Sequence, residues 1–332
     1  MISRPIMERL PALALWSLIG VASSASVGIW LVAGTGLKGR DLAAVLTMGA
    51  VLIGLSAVYT HARPDPRIAR LSRGMAELLF LTIMIGSLSY SGATLALPLW
   101  DDTFEAWDKA LGFDWRFWLG LLDANPSVHL VFVVAYHSMM PQVVLAVVVL
   151  AAFHRNQHLD TYLLAYGVAA LATVAVATLM PALSPLVHLG VTPAEHPNII
   201  LAVPLEFQEH AAALRDGRMR IVDLSGAQGL VTFPSFHTVC AILLLLAFRP
   251  IPYLRWASTA LNGLMLLAIP VEGSHYLVDV IAGAAVALGS WLFASWVVHQ
   301  ERAGWVQRSC WPGSAPRTIP SSGFAANRAG SS

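Results

Sequence analysis

The chain has 332 residues, of which 57% are hydrophobic and 12% charged, with a formal net charge of +1 and a mean hydropathy of +0.66. A soluble domain carries about 25% charged residues, so this composition excludes an ordinary water-soluble globular domain. It also gives no sign of a nucleic-acid partner, because the basic residues are dispersed along loops instead of gathered into a basic stripe.

In chain order, eight apolar runs predict membrane-spanning helices at roughly 11–34, 41–60, 75–97, 127–153, 161–180, 234–248, 256–272 and 276–298, since a span needs about 17–25 apolar residues. None alternates with the period that a barrel strand requires. The expected fold class is therefore all-α, a polytopic helical membrane protein embedded through several passes in the cell membrane. Residues 1–26 imitate a secretory signal, with Arg4, Arg9, an apolar stretch and Ser23-Ser24-Ala25-Ser26. The apolar character continues to Ala33, so the segment reads as an uncleaved first helix. The two cysteines, Cys240 and Cys310, offer no disulfide framework.

Three units are expected: an N-terminal transmembrane hairpin over 1–74, a catalytic transmembrane core over 75–300, and a disordered cytoplasmic tail over 301–332, which is rich in Ser, Pro, Gly and Arg. Within the core, residues 98–126 read as an amphipathic interfacial segment. Trp100, Phe104, Trp107, Leu111, Trp115 and Trp118 recur there at three-to-four spacing among acids. Residues 181–233 form the longest loop, broken by five prolines, with a short helix expected over 204–214 and a basic cluster behind it. A loop of that length reads as functional. No internal repeat suggests a transporter of two halves.

Orientation follows from charge. One set of alternate loops carries Arg4, Arg9, Arg63, Arg67, Arg70, Arg73, Arg155, Arg249, Arg255, Arg302 and Arg308; the other mixes fewer cations with many acids, among them Asp101, Asp102, Glu105 and Asp108. The positive-inside rule puts the first set and both termini in the cytoplasm. His237 and His275 then both fall on the extracytoplasmic side.

Those two histidines carry the chemistry. His237 closes Pro234-Ser235-Phe236-His237, and His275 opens His275-Tyr276-Leu277-Val278-Asp279. Each stands where a polar turn meets an apolar run, a costly place for a titratable group without a task. His275 and Asp279 share one helix face, where the carboxylate can fix the imidazole's tautomer and stabilise its charged form. His137, inside the fourth run, reads as a helix-packing hydrogen bonder. Glu272 is open between a headgroup contact and a solvated acid, and Glu77 is expected to pair locally.

Pro-Ser-Phe-His, followed after one intervening helix by Gly273-Ser274-His275-Tyr276-x-x-Asp279-Val280-x-x-Gly283, resembles the phosphatidic acid phosphatase type 2 superfamily. The stretch from Trp100-Asp101-Asp102 to Gly112-Phe113-Asp114-Trp115 is similar to a segment of the branch that contains inositol phosphorylceramide synthases. The resemblance implies that His275 attacks phosphorus to form a phosphohistidine, that Asp279 orients it, and that His237 protonates the departing oxygen and then serves as base for the acceptor. Opposite protonation states of the two histidines imply a bell-shaped pH–rate profile. Ser235, with N–H groups at the helix start, would cradle the phosphate.

The pattern departs from the superfamily's phosphatases where they carry a Ser-Arg pair: here Ala268 and Ile269 occupy those positions. Lys109 and Arg116 have the spacing of the Lys-Arg-Pro motif, but Phe117 replaces the proline. Lys109, Arg116, Arg215, Arg218 and Arg220 are the candidate phosphate clamps. A phosphodiester carries one negative charge and needs fewer clamps than a phosphomonoester. The expected activity is therefore a lipid phosphotransferase that takes a phospholipid or lipid phosphate and passes its phospho-headgroup to a lipid or alcohol acceptor. A lipid phosphate or polyprenyl pyrophosphate phosphatase is the alternative, and a transporter or scaffold a further one. Two histidines and a carboxylate could also form a metal set, but the further ligands of usual spacings are missing; no metal or other cofactor is expected.

Overall fold

The computed structural model describes residues 10–199, 206–223 and 230–309. The chain is all-α. Its long helices are α1 (Leu10–Ala33), α2 (Gly39–His61), α3 (Pro66–Ala93), α8 (Asn156–Leu179), α12 (Pro252–Glu272) and α13 (Leu277–Ser309). Between them come α4 (Asp101–Ala110), α5 (Trp115–Asp123), α6 (Pro126–His137), α7 (Met139–Ala152), α9 (Pro185–His188), α10 (Glu206–Arg215) and α11 (Phe236–Phe248).

Among the described residues six helices are long and apolar enough to cross a membrane, or seven when α5 and α6, bent by 112° at their junction, count as one span. Eight single spans were expected. The fourth is instead split by Ser138 into α6 and α7, and the sixth, α11, has only 13 residues. Both modified spans border the histidine motifs. α10 agrees with the short helix expected over 204–214. α13 runs to Ser309, past Gly304, and the rest of the expected tail lies outside the described residues, as do Arg4, Arg9 and Cys310.

Local chemistry sets the helix starts. Asp65 caps α3 by accepting from the N–H groups of Arg67 and Ile68, with Pro66 in the first turn. Asp114 caps α5 through Phe117 N–H. Proline also opens α6 and α12.

α8 is the axis of the bundle, packed against α1, α3, α11 and α13. Tyr162, Leu163, Leu164, Ala165, Tyr166 and Ala169 are buried along it. Small residues let the helices close. A Cβ at Gly167 would sit 2.9 Å from Leu81 Cδ2, and one at Gly49 would meet the Phe80 ring, which is where α2 leans on α3. α1 contributes Leu15, Ile19 and Ala22 to the same core.

The two ends of the bundle differ. At one, Gly36–Leu37 pairs in parallel with Ile221–Val222, and Lys38 Nζ lies 2.7 Å from Asp223 Oδ2. The first interhelical loop is thereby tied to the long loop that precedes Pro234. At the other end, Arg70 bridges Glu77 (3.3 Å) and Asp160 (2.6 Å), Arg73 reaches Glu77 at 2.8 Å, and Arg67 Nε donates to His154 at 2.7 Å. Glu77 thus pairs locally, as expected. Both histidine motifs belong to the first end.

In a background without the native cysteines, single cysteines at Asp102→Cys and Asp216→Cys should react with an impermeant maleimide from the same side of sealed vesicles. One at Asn156→Cys should react only from the other side. Labelling of all three from one side would contradict this topology.

Candidate active site

Two tight contacts bring the histidine motifs together. Ser235 is the N-cap of α11: its Oγ accepts from Thr238 N–H at 3.3 Å. Its own N–H donates to the backbone carbonyl of Asp279, 3.0 Å away in the first turn of α13. The approach is possible because Gly283, one turn on, has no side chain; a Cβ there would lie 2.5 Å from Ser235 O and 3.0 Å from Thr238 Cβ. The motif glycine is therefore a packing requirement.

His275 stands in the turn between α12 and α13. Its N–H donates to Pro270 O (3.0 Å), which also accepts the Trp115 indole N–H (2.7 Å). Ser274 takes a positive φ of 49°, uncommon for a residue with a side chain. Its Oγ accepts from Leu186 N–H at 3.0 Å, pinning the turn to α9. A Cβ at Gly273 would come within 2.6 Å of His275 Cδ2, so this glycine leaves the imidazole its space.

Asp279 is fully buried, and its Oδ2 accepts from Tyr276 N–H (2.9 Å) and faces His275 Nδ1 at 3.1 Å. Oδ1 has no hydrogen-bond partner among the described residues. With Nδ1 held by the carboxylate, Nε2 is the nitrogen left to act on a substrate. His237, half-buried in the first turn of α11, lies against Tyr136 of α6: the rings are 4.1 Å apart between centroids and 13° from parallel, and Tyr136 Oη is 3.2 Å from His237 Nδ1.

The segment over 98–126 is amphipathic in a different sense from the one expected. It forms two helices, and α4 turns Asp101 and Asp108 inward while Asp102 faces out. Asp108 accepts from the N–H groups of Leu277 (2.8 Å) and Val278 (3.0 Å), serving as a remote cap for α13. Burial raises its carboxyl above the usual range, and these two donors pull it back down. Asp101, one face with Asp108, accepts from the Tyr276 hydroxyl (3.0 Å) and from Leu183 and Ser184 N–H. Burial and Asp101 together raise the pKa of the Tyr276 phenol. Phe104 lies between them against Tyr276 and Phe233, with Trp107, Leu111 and Trp118 exposed. The acids satisfy buried N–H donors, a need that hydropathy does not register.

Ser235 is fully buried at the helix junction: its N–H donates to Asp279 O and its Oγ accepts from Thr238 N–H, which leaves the hydroxyl proton as the group it could offer a phosphate. The basic candidates are held elsewhere. Lys109 pairs with Glu105 (2.6 Å), which lowers the glutamate's pKa, and Arg116 donates to Leu189 O. Arg215 donates to Leu97 O, Arg218 pairs with Asp216, and Arg220 donates to Ala33 O. Among the described residues none of the five bonds to either catalytic-motif histidine. Ala268 and Ile269, at the Ser-Arg position, are buried in the core. His137 is exposed and bonds Val133 O within its own helix.

A pair absent from the sequence expectations lies beside the site. His129 of α6 and Glu272, the last residue of α12, meet at 2.8 Å, both almost wholly buried. Glu272 is thus not a solvated acid. The contact gives each of these buried side chains a hydrogen-bond partner across α6 and α12. The readable signal was a histidine within the apolar run after Pro126. Among the described residues no group of three or more His, Cys, Asp or Glu side chains is arranged to hold a metal ion.

Removing one partner of a buried pair strands the other. Glu272→Leu and His129→Leu should each lower stability by about 1–3 kcal/mol, with the double variant costing less than their sum, as read from denaturation of the detergent-solubilised protein. Asp108→Ala should cost about 1 kcal/mol as a lost helix cap and also lower activity, because it frees the first turn that carries Asp279. Unchanged stability and activity would remove the capping role.

No curated protein and no solved structure matched the chain significantly. The sequence profile of the PAP2 superfamily matches residues 102–293. That span covers more than half of the chain and contains α4 from Asp102 onward, both histidine motifs and the Asp279 that joins them. The chain belongs to the PAP2 superfamily.

Proposed function

We propose that this protein is an integral membrane lipid phosphotransferase, moving a phospho-headgroup from one lipid to a lipid or alcohol acceptor at the extracytoplasmic face. His275 Nε2 attacks phosphorus, a P–O bond to the donor lipid breaks, and His237 gives the departing oxygen a proton. His237 then takes the proton of the acceptor hydroxyl as that oxygen displaces His275. Asp279 keeps Nδ1 of His275 engaged throughout, so the attacking lone pair stays on Nε2 and the positive charge that develops on attack is balanced.

The observation that carries transfer over hydrolysis of a monoester is the interior around His275. The position of the superfamily's arginine is filled by buried Ile269, and the basic residues of the neighbouring loops are bonded to other partners. A site poor in cations suits the single charge of a phosphodiester better than a phosphomonoester near two. The arginine excess at the opposite end of the bundle supports an outward-facing site.

The test measures phosphate release and lipid products in parallel on the purified full chain. Substrates are phosphatidic acid, a polyprenyl phosphate, and phosphatidylinositol or phosphatidylglycerol paired with ceramide or diacylglycerol. A headgroup-bearing lipid product that disappears in His275→Ala is the expected result. Free phosphate as the sole product would make the protein a lipid phosphate phosphatase. Activity that survives His275→Ala would overturn the mechanism.

A further inference from the structure

The phenol of Tyr136 is wedged between the two histidine motifs. Its face covers the imidazole of His237 at 4.1 Å, with the planes 13° apart. Its edge lies against Gly273, two residues before the nucleophile: a Cβ added there would be 3.0 Å from Tyr136 Cε2 and 2.6 Å from His275 Cδ2. Tyr136 is itself buried, and the break at Ser138 ends α6 two residues later.

Because the rings are nearly parallel, the hydroxyl reaches His237 Nδ1 at 3.2 Å from above the imidazole plane. A hydrogen bond to a ring nitrogen is strongest within that plane, so the π face is the larger part of the contact. An aromatic face attracts a cation stacked on it, more strongly when water is excluded. The titratable groups facing His237 are Tyr136 and His137 on α6 and His275 at the head of α13. None is an anion, so among them the ring is the group that favours the imidazolium form.

We infer that Tyr136 is the positioning residue of the general acid: its ring fixes the His237 imidazole opposite His275 and supports its protonated form. The inference rests on the phosphotransfer reading and assigns the ring, not the hydroxyl, as the working part.

The test compares Tyr136→Phe, Tyr136→Leu and Tyr136→Met in the full-length protein, with folding checked by thermal melting. Tyr136→Phe keeps the face and should keep kcat within about 3-fold, a change of less than one hydrogen bond's worth. Tyr136→Leu and Tyr136→Met lose it and should lower kcat about 10-fold on phosphatidic acid or a phosphodiester lipid, with KM little changed. The alkaline limb of their pH–rate profile should move to lower pH, because the acid form of His237 is less stable without the ring. With p-nitrophenyl phosphate, whose leaving group needs no proton, the same variants should lose much less. A stable Leu or Met variant with the wild-type limb, or an equal loss on both leaving groups, would overturn the inference. A Tyr136→Phe loss as large as that of Tyr136→Leu would overturn the assignment to the ring. If wild type processes none of these substrates, the phosphotransfer reading fails first, and the inference with it.

Discussion

One buried carboxylate holds the candidate site together. Asp279 engages three partners through two acceptor atoms. Its Oδ2 engages both the His275 ring and Tyr276 N–H, and its backbone carbonyl receives the N–H of Ser235, which caps the helix that carries His237. The first turn of α13 therefore sets the orientation of one histidine and the distance to the other. A carboxylate buried to this degree is costly without donors around it, and the site supplies them from the turn itself.

That turn is in turn clamped from outside the motifs. α4 applies Asp108 to the first N–H groups of α13 and Asp101 to Tyr276, while Trp115 and the Ser274 contact with α9 fix the backbone that precedes His275. Helices α4 to α6 thus form a collar around the turn, and Tyr136 and His129 extend it inward along one face of α6. Interfacial helices of this kind can admit a lipid laterally while its phosphate meets a fixed pair of imidazoles.

Much of this was legible beforehand, for physical reasons. Apolar length identified α1, α2, α3, α8, α12 and α13, because crossing a bilayer imposes a minimum run on any helix. The cost of a titratable group in such a run singled out His237, His275 and Asp279. The rest depended on pairing. Asp101 and Asp108 look like solvent-facing acids until the N–H groups they satisfy are in view. His129 and Glu272 lie 143 residues apart and compensate one another only in the fold. For the loop arginines and Ser235 the sequence shows a charge or position that suits phosphate but not the neighbouring carbonyls, acids and N–H groups that engage them in the fold.

The most direct test of the account is to trap the enzyme during turnover on a phosphorus-labelled lipid and map the modification. The account predicts an acid-labile, base-stable phosphoryl adduct on the peptide containing His275, formed by wild type but absent in His275→Ala. An adduct on any other residue, or turnover with no covalent intermediate under conditions that trap phosphohistidine, would contradict it.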